Sequence, residues 1–195
     1  MPNRAADLPR YAIARQQKRA RYDAATVHAI LDQGLVAHVG FVAADRPMVM
    51  PMAYGRDGDT LFIHGASTTR IIRGVEDGFP VCLTVTLVDG IVVARSAFHH
   101  SMNYRSAVVH GTARHVTDPA EHDHALRVIT EHLLPGRWDE VRPMRAKERK
   151  ATGVLALPIE AASAKVREGA PVDDNRLVDG TPLPASLAAA RRRFA

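Results

Sequence analysis

Two apolar runs, Met48–Tyr54 and Thr60–His64, flank the tetrapeptide Arg56-Asp57-Gly58-Asp59. Gly58 tolerates the left-handed backbone that a tight reversal needs, so the two runs return on each other as an antiparallel hairpin. Pro51 interrupts the first run and has no N–H to give a ladder, which places it at an edge or a bulge. The same grammar recurs along the chain. Leu35–Ala43 reads as a strand that ends at an Asp45-Arg46-Pro47 turn. Val81–Val88 and Ile91–Arg95 read as two strands joined by Asp89-Gly90, and Ala107–Val116 and Val154–Ile159 as further strands. Helical spacing occurs in three places. Residues 23–33 carry Ala24, Val27, Ile30 and Leu31, with Gly34 placed to cap their end. Ile71–Asp77 is stopped by Gly78 and Pro80, and Pro119–Leu134 carries Ala125, Val128, Ile129 and Leu133 on one stripe. Short strands, hairpin turns and few helices predict a mainly β protein, a closed or half-closed β-barrel with a few helices.

At 195 residues and 46% hydrophobic content, the chain suits one domain with a sizeable core. Residues 1–22 form a basic arm, 23–172 the barrel, and 173–195 a polar and then basic tail, with a composition that favours partial disorder. The net charge of +5 resides in the arm, where six basic residues oppose Asp7, so the remainder balances. Basic ends on a neutral body do not match the basic face of a nucleic-acid-binding domain. They suit solvated tails, or an arm whose Lys18, Arg19 or Arg21 folds back onto an anionic ligand. The single Cys82 excludes an internal disulfide, and its place in Val81-Cys82-Leu83-Thr84-Val85 predicts core packing. No N-terminal apolar run suggests a signal peptide. The most apolar window, Phe79–Ala94, is too short to span a bilayer, so a soluble, cytoplasmic protein is expected, with no membrane partner.

The richest chemistry lies at Leu61-Phe62-Ile63-His64-Gly65-Ala66-Ser67-Thr68-Thr69-Arg70. A buried strand runs into a hydroxyl-rich turn and ends on an arginine. Backbone N–H groups, three hydroxyls and a guanidinium fork suit an anionic oxygen cluster, most simply a phosphate. A helix starting at Ile71 would add its N-terminal dipole. A polar turn before a surface helix is the plainer reading. The second dense segment is Phe98-His99-His100-Ser101-Met102-Asn103-Tyr104-Arg105-Ser106, ahead of the apolar Ala107–Val109. Adjacent His99 and His100 would point to opposite faces of a strand, and no acidic or thiol partner lies near, so no metal site is predicted.

In these segments the chain resembles the pyridoxamine 5′-phosphate oxidase-related flavoproteins. These have an FMN-binding split β-barrel, and the resemblance is to the branch that includes nitroimidazole-resistance-type reductases. It is carried by HVGFV at His38–Val42, by Pro51–Arg70, by Val85–Arg114 and by LLPGRW at Leu133–Trp138, and spans roughly residues 15 to 172. It implies a homodimer with FMN at the interface, acting as an oxidoreductase on an unidentified small molecule. The phosphate would lie at Gly65, Ser67, Thr68, Thr69 and Arg70. The ring would lie along Met50, Pro51, Met52, Ala53 and Tyr54, approached by Asn103, Tyr104, Arg105 and Ser106. His64 would face the flavin or substrate and, titrating near ~6.5, exchange a proton with it; a hydrogen-bonded core histidine is the plainer alternative. Arg105 would either set positive charge beside the reduced ring or pair with a carboxylate. Trp138 would cap the long helix or line the pocket. No basic substrate-clamping C-terminal segment of the pyridoxamine-phosphate oxidases is found. Two other readings suit the same fold: a deazaflavin-dependent reductase, and a non-enzymatic flavin or haem binder or sensor, with His64, His99 or His100 as haem ligands.

Overall fold

The computed structural model describes residues 8–14, 17–73, 78–94 and 97–169. Residues 1–7 and 15–16 of the basic arm, the Gly74–Asp77 end of the anticipated short helix, Arg95 and the 173–195 tail lie outside the described residues.

The strands are β1 (Ala20–Arg21), β2 (Val36–Ala43), β3 (Arg46–Asp57), β4 (Thr60–Ala66), β5 (Phe79–Val92), β6 (Ser101–His115), β7 (Thr152–Pro158) and β8 (Ala161–Arg167). Helices α1 (Ala24–Gln33), α2 (Arg70–Arg73), α3 (Pro119–Leu133) and α4 (Ala146–Ala151) intervene. All pairings are antiparallel, in the order β1-β8-β6-β5-β2-β3-β4-β7. β7 also pairs with β6, which closes β6-β5-β2-β3-β4-β7 into a barrel. The seam is split, because β6 gives Tyr104–His110 to β8 and only Arg114–His115 to β7.

Alternation fills the barrel. Val39, Leu83, Val85, Val109, Leu61, Ile63, Leu155 and Leu157 point inward and are buried. A second apolar layer lies outside, where Phe62, Val154 and Ala156 meet Ala125, Leu126 and Ile129 of α3. Asp23 starts α1 by accepting from the Thr26 N–H at 2.8 Å. Gly55 lets α3 lie directly on β3, since a Cβ there would stand 2.8 Å from the Ile129 backbone.

Several expectations hold. The 56–59 hairpin forms with Gly58 at φ +55°. β3 gives residues 46–53 to β2 and 54–57 to β4, so Pro51 lies where β3 is locally an edge. Others are corrected. Asp89-Gly90 is no hairpin: β5 runs through it, with a bulge between Val88 and Gly90, because β6 is long enough to pair as far as Val92↔Ser101. The preceding turn falls on Ala44 and Asp45, both with positive φ, and Arg46-Pro47 already belongs to β3. Cys82 is exposed, since the alternation that buries Val81 and Leu83 turns it outward. Gly34 ends α1 at φ −79°, outside the left-handed region. Its small size is what matters, because a Cβ would fall 2.2 Å from Val85 Cγ1. β8 has no strand signature in the sequence, because Ala161-Ala162-Ser163-Ala164 carries none of the bulky β-branched signal of a strand.

Candidate functional site

On β4, Leu61 and Ile63 face the barrel interior, so Phe62 and His64 face out towards α3. His64 is half-buried, and its Nδ1 is sealed from solvent without a hydrogen-bond partner. Burial lowers its pKa, which favours the neutral ring. A groove of about 570 Å³ opens beside it, walled by Leu126 and Thr130 of α3, by Arg137, Trp138, Arg142 and Met144, and by Thr152 of β7. The segment between α3 and α4 is fixed by its own acids. Glu131 accepts from the Gly136 and Trp138 N–H groups at 2.7 Å each, which holds its carboxyl below the usual range. Glu148 binds both terminal nitrogens of Arg142, at 2.8 and 2.5 Å, and accepts from the Arg145 N–H at 2.9 Å. Those contacts pull its pKa to about 2. Arg149 pairs with Asp123 of α3. Trp138 is half-buried against the outer apolar layer and lines the groove.

Beyond His64 the chain turns at Ser67–Thr69. Ser67 N–H donates to Ala151 O at 2.8 Å, and Thr69 N–H and Oγ1 both donate to Ala66 O, at 2.8 and 2.6 Å. Thr69 thus builds the turn, and its hydroxyl proton is taken. Thr68 and Arg70 are exposed. Arg70 has no carboxylate partner among the described residues, and its polar contact is Met48 Sδ at 3.9 Å. Among the described residues the helix after the turn covers Arg70–Arg73, and its anticipated continuation to Asp77 lies outside them.

The remaining anticipated residues divide. Met52 and Tyr54 point into the core, and the Tyr54 hydroxyl donates to Leu31 O at 2.5 Å. Their side chains are packing elements, and burial raises the Tyr54 pKa. Met50 is half-buried against the core, whereas Pro51 and Ala53 face outward. On β6, Arg105 holds Asp89 with Nε at 3.0 Å and Nη2 at 2.6 Å, and Gln33 with Nη1 at 2.5 Å. Asn103 accepts from Arg167 at 2.5 Å and donates to Gly169 O at 3.2 Å. Tyr104 and Ser106 are half-buried on the same strand. β2 and β5 stand between this stretch and β3, so within one chain about 14 Å of sheet separates Ser106 from Ala53. Arg21 turns back on Lys18 O and Ala20 O beside β8, away from the Ser67–Arg70 turn.

Arg137, Arg142, Met144, Glu148 and Thr152 had no sequence signal, because Arg142 and Glu148 are six apart in a charged stretch that resembles solvated surface. Among the described residues no cluster of three His, Cys, Asp or Glu could hold a metal ion, and no helix is long and apolar enough to cross a membrane.

Comparison with known proteins gives this site its setting. No curated protein matches the chain. The family model described as pyridoxamine 5′-phosphate oxidase matches residues 23–166. The structure of the flavocytochrome Anf3 from Azotobacter vinelandii is 38% identical with a TM-score of 0.78, covering 90% of this chain and 89% of that one. The FAD and haem binding protein from Mycobacterium smegmatis is 33% identical with a TM-score of 0.74, covering 88% of this chain and 97% of that one. A Bacteroides thetaiotaomicron protein assigned provisionally to 5-nitroimidazole antibiotic resistance is 24% identical at a TM-score of 0.63, covering 76% and 87%, and speaks for the fold alone. By fold and by sequence, this chain is a split β-barrel protein that belongs to the pyridoxamine 5′-phosphate oxidase family.

Proposed function

We propose that this protein is a flavin-binding redox protein that also carries haem. The observation that carries this reading is the 38% identity, over nine-tenths of the chain, to a flavocytochrome. The M. smegmatis relative, described as binding FAD and haem, supports it independently.

The turn fits a flavin's ribityl phosphate. Among the described residues the Arg70 guanidinium has no acidic partner, and the Ser67 and Thr68 hydroxyls stand beside it on a turn already fixed by its own backbone bonds. FMN and FAD share that phosphate, so the turn suits both, and the M. smegmatis relative favours the dinucleotide. The flavin would supply the transfer of hydride or single electrons, and the chain's part is to bind, orient and exclude water. Ser67, Thr68 and Arg70 would hold the anion, while Pro51 and Ala53 on the outer face of β3 would support the ring. The neutral His64 ring, at the end of β4, offers a polar contact to a bound group. Arg105 is occupied by Asp89, so its charge is partly neutralised before any ligand arrives.

A homodimer is part of the proposal. Val42 and Val49, 67% and 66% exposed, put an apolar patch on the β2–β3 hairpin. The gap between Ala53 and Ser106 calls for a second chain if both stretches are to meet one ligand.

The test is an absorbance spectrum of the purified full-length chain after loading with FAD, FMN and haemin and removal of excess. The released flavin is identified by chromatography, and mass is read by light scattering. Flavin bands together with a Soret band on a dimer support the reading. Flavin without haem reduces it to a flavoprotein, and neither cofactor removes it.

A further inference from the structure

Of the ten histidines, all among the described residues, five have rings already engaged in hydrogen bonds. His28 binds Asp59, His124 binds Asp57, His122 binds Thr152 O, His132 binds Gly34 O, and His100 accepts from the Ala94 N–H. His64 and His110 each line a sizeable concavity without a side-chain hydrogen bond. Resting on the flavocytochrome reading above, we infer that His64 is the haem's axial ligand and that the groove between α3 and the Arg137–Thr152 segment is its seat.

Three observations select His64. The first is the state of the ring. Nδ1 is sealed and unpartnered, so the nitrogen left to the groove is Nε2, and a metal there would give the imidazole a polar partner that the protein does not provide. The second is the wall. Leu126, Trp138 and Met144 present apolar and aromatic surface, as a flat macrocycle needs, and about 570 Å³ falls within the ordinary range for ligand sites. A smaller recess of about 200 Å³ shares Trp138, Arg142 and Met144 and deepens the groove towards Arg149. The third is charge. Haem carries two carboxylates, and of the two arginines at this groove Arg142 is held by Glu148 while Arg137 keeps donors to spare beside Glu140. Arg137 uses only Nη1 on the exposed Glu140, which leaves Nε and Nη2 for a carboxylate. The rival concavity around His110 is about 630 Å³ and is lined by Tyr11, Phe41, Met48 and Cys82, but among the described residues its lining carries Glu160 and no arginine or lysine to meet a propionate. His99 sits on an exposed tip beside Phe98, which is 89% exposed, with no enclosing wall among the described residues.

The experiment is a haemin titration of the full-length chain and of His64→Ala, His64→Met, His110→Ala and His99→Ala, each loaded with flavin. Position and intensity of the Soret band and the haem dissociation constant are recorded, with flavin retention and circular dichroism to show that each variant folds. His64→Ala should bind haem at least tenfold more weakly and shift the Soret band, and added imidazole should restore it. His64→Met should keep a ligand with an altered spectrum, and the other two should match the wild type. A His64→Ala protein with wild-type band and affinity overturns the assignment while the flavocytochrome reading stands, as does loss confined to His110→Ala or His99→Ala. A wild-type chain that takes up no haem overturns both.

Discussion

Arg105 and Asp89 meet as fork and carboxylate, with Nη2 at 2.6 Å from Oδ1, at the bulge where β5 slips one residue against β6. The bulge leaves Asp89 outside the ladder and brings it under Arg105, which is paired with Leu87 on the neighbouring strand. The contact is 30% and 31% exposed, so its strength is moderated by solvent.

Hydrogen bonds from Arg105 hold the Asp89 carboxyl below its usual range. A folded pKa below the unfolded one gives stability that is present above the unfolded value, ~3.9, and is lost as pH falls through the folded value. Asp89→Asn should therefore cost about 0.5–1 kcal/mol near neutral pH. In urea melts the gap between variant and wild type should narrow towards pH 3. An equal gap at both pH values would show that the pair's charge contributes nothing.

Gly55→Ala probes how α3 is seated. The added methyl would stand 2.8 Å from the Ile129 Cα and N, backbone atoms that cannot step aside alone. Overpacking of this kind costs about 1–3 kcal/mol, or roughly 2–12 °C in melting temperature for a chain of this size. The His64 groove borrows Leu126 and Thr130 from the same helix, so uptake of a ligand there should weaken as well. Thermal melts that match the wild type would mean that α3 is free to ride outward.

What the sequence made legible was local. The Gly58 hairpin, the α3 stripe and the run of apolar strands follow from rules that act within a few residues. So does the hydroxyl-rich turn after β4. The misread places are those where a distant strand decides. Asp89-Gly90 has every mark of a reversal, and only the length of β6 makes it a bulge. Cys82 has apolar neighbours, yet its parity against Leu83 turns it outward. Tyr54 was expected beside a flavin ring, and its parity with Met52 sends it inward to Leu31. The groove at His64 is assembled from β4, α3, β7 and a charged connector. No spacing in the chain announces that these meet.

Tyr54→Phe separates packing from site. The hydroxyl makes a single buried bond to Leu31 O, and the ring lies against His132 at 4.9 Å between centroids. Losing that bond and leaving the carbonyl unpaired should cost about 1–3 kcal/mol. The ring does not reach the surface, so flavin content and the flavin absorbance maximum should not change. Denaturant melts read the first quantity and spectra of the loaded protein the second. A shifted flavin band with unaltered stability would return Tyr54 to the site.

Arg70→Ala asks whether the turn holds a phosphate. Among the described residues this exposed guanidinium has one polar contact, Met48 Sδ at 3.9 Å, so stability should stay within about 0.5 kcal/mol of wild type. A charge-assisted bond to a phosphate is worth about 1.5–3 kcal/mol, so the flavin dissociation constant should rise roughly 10- to 150-fold. Fluorescence titration with FMN and FAD measures this, and riboflavin, which has no phosphate, supplies the control. The variant and the wild type should bind riboflavin equally. Loss of affinity for all three flavins alike would place Arg70 against the ring. Unchanged affinity for the two phosphorylated forms would remove it from the site, leaving Ser67 and Thr68 without the charge that makes the turn an anion site.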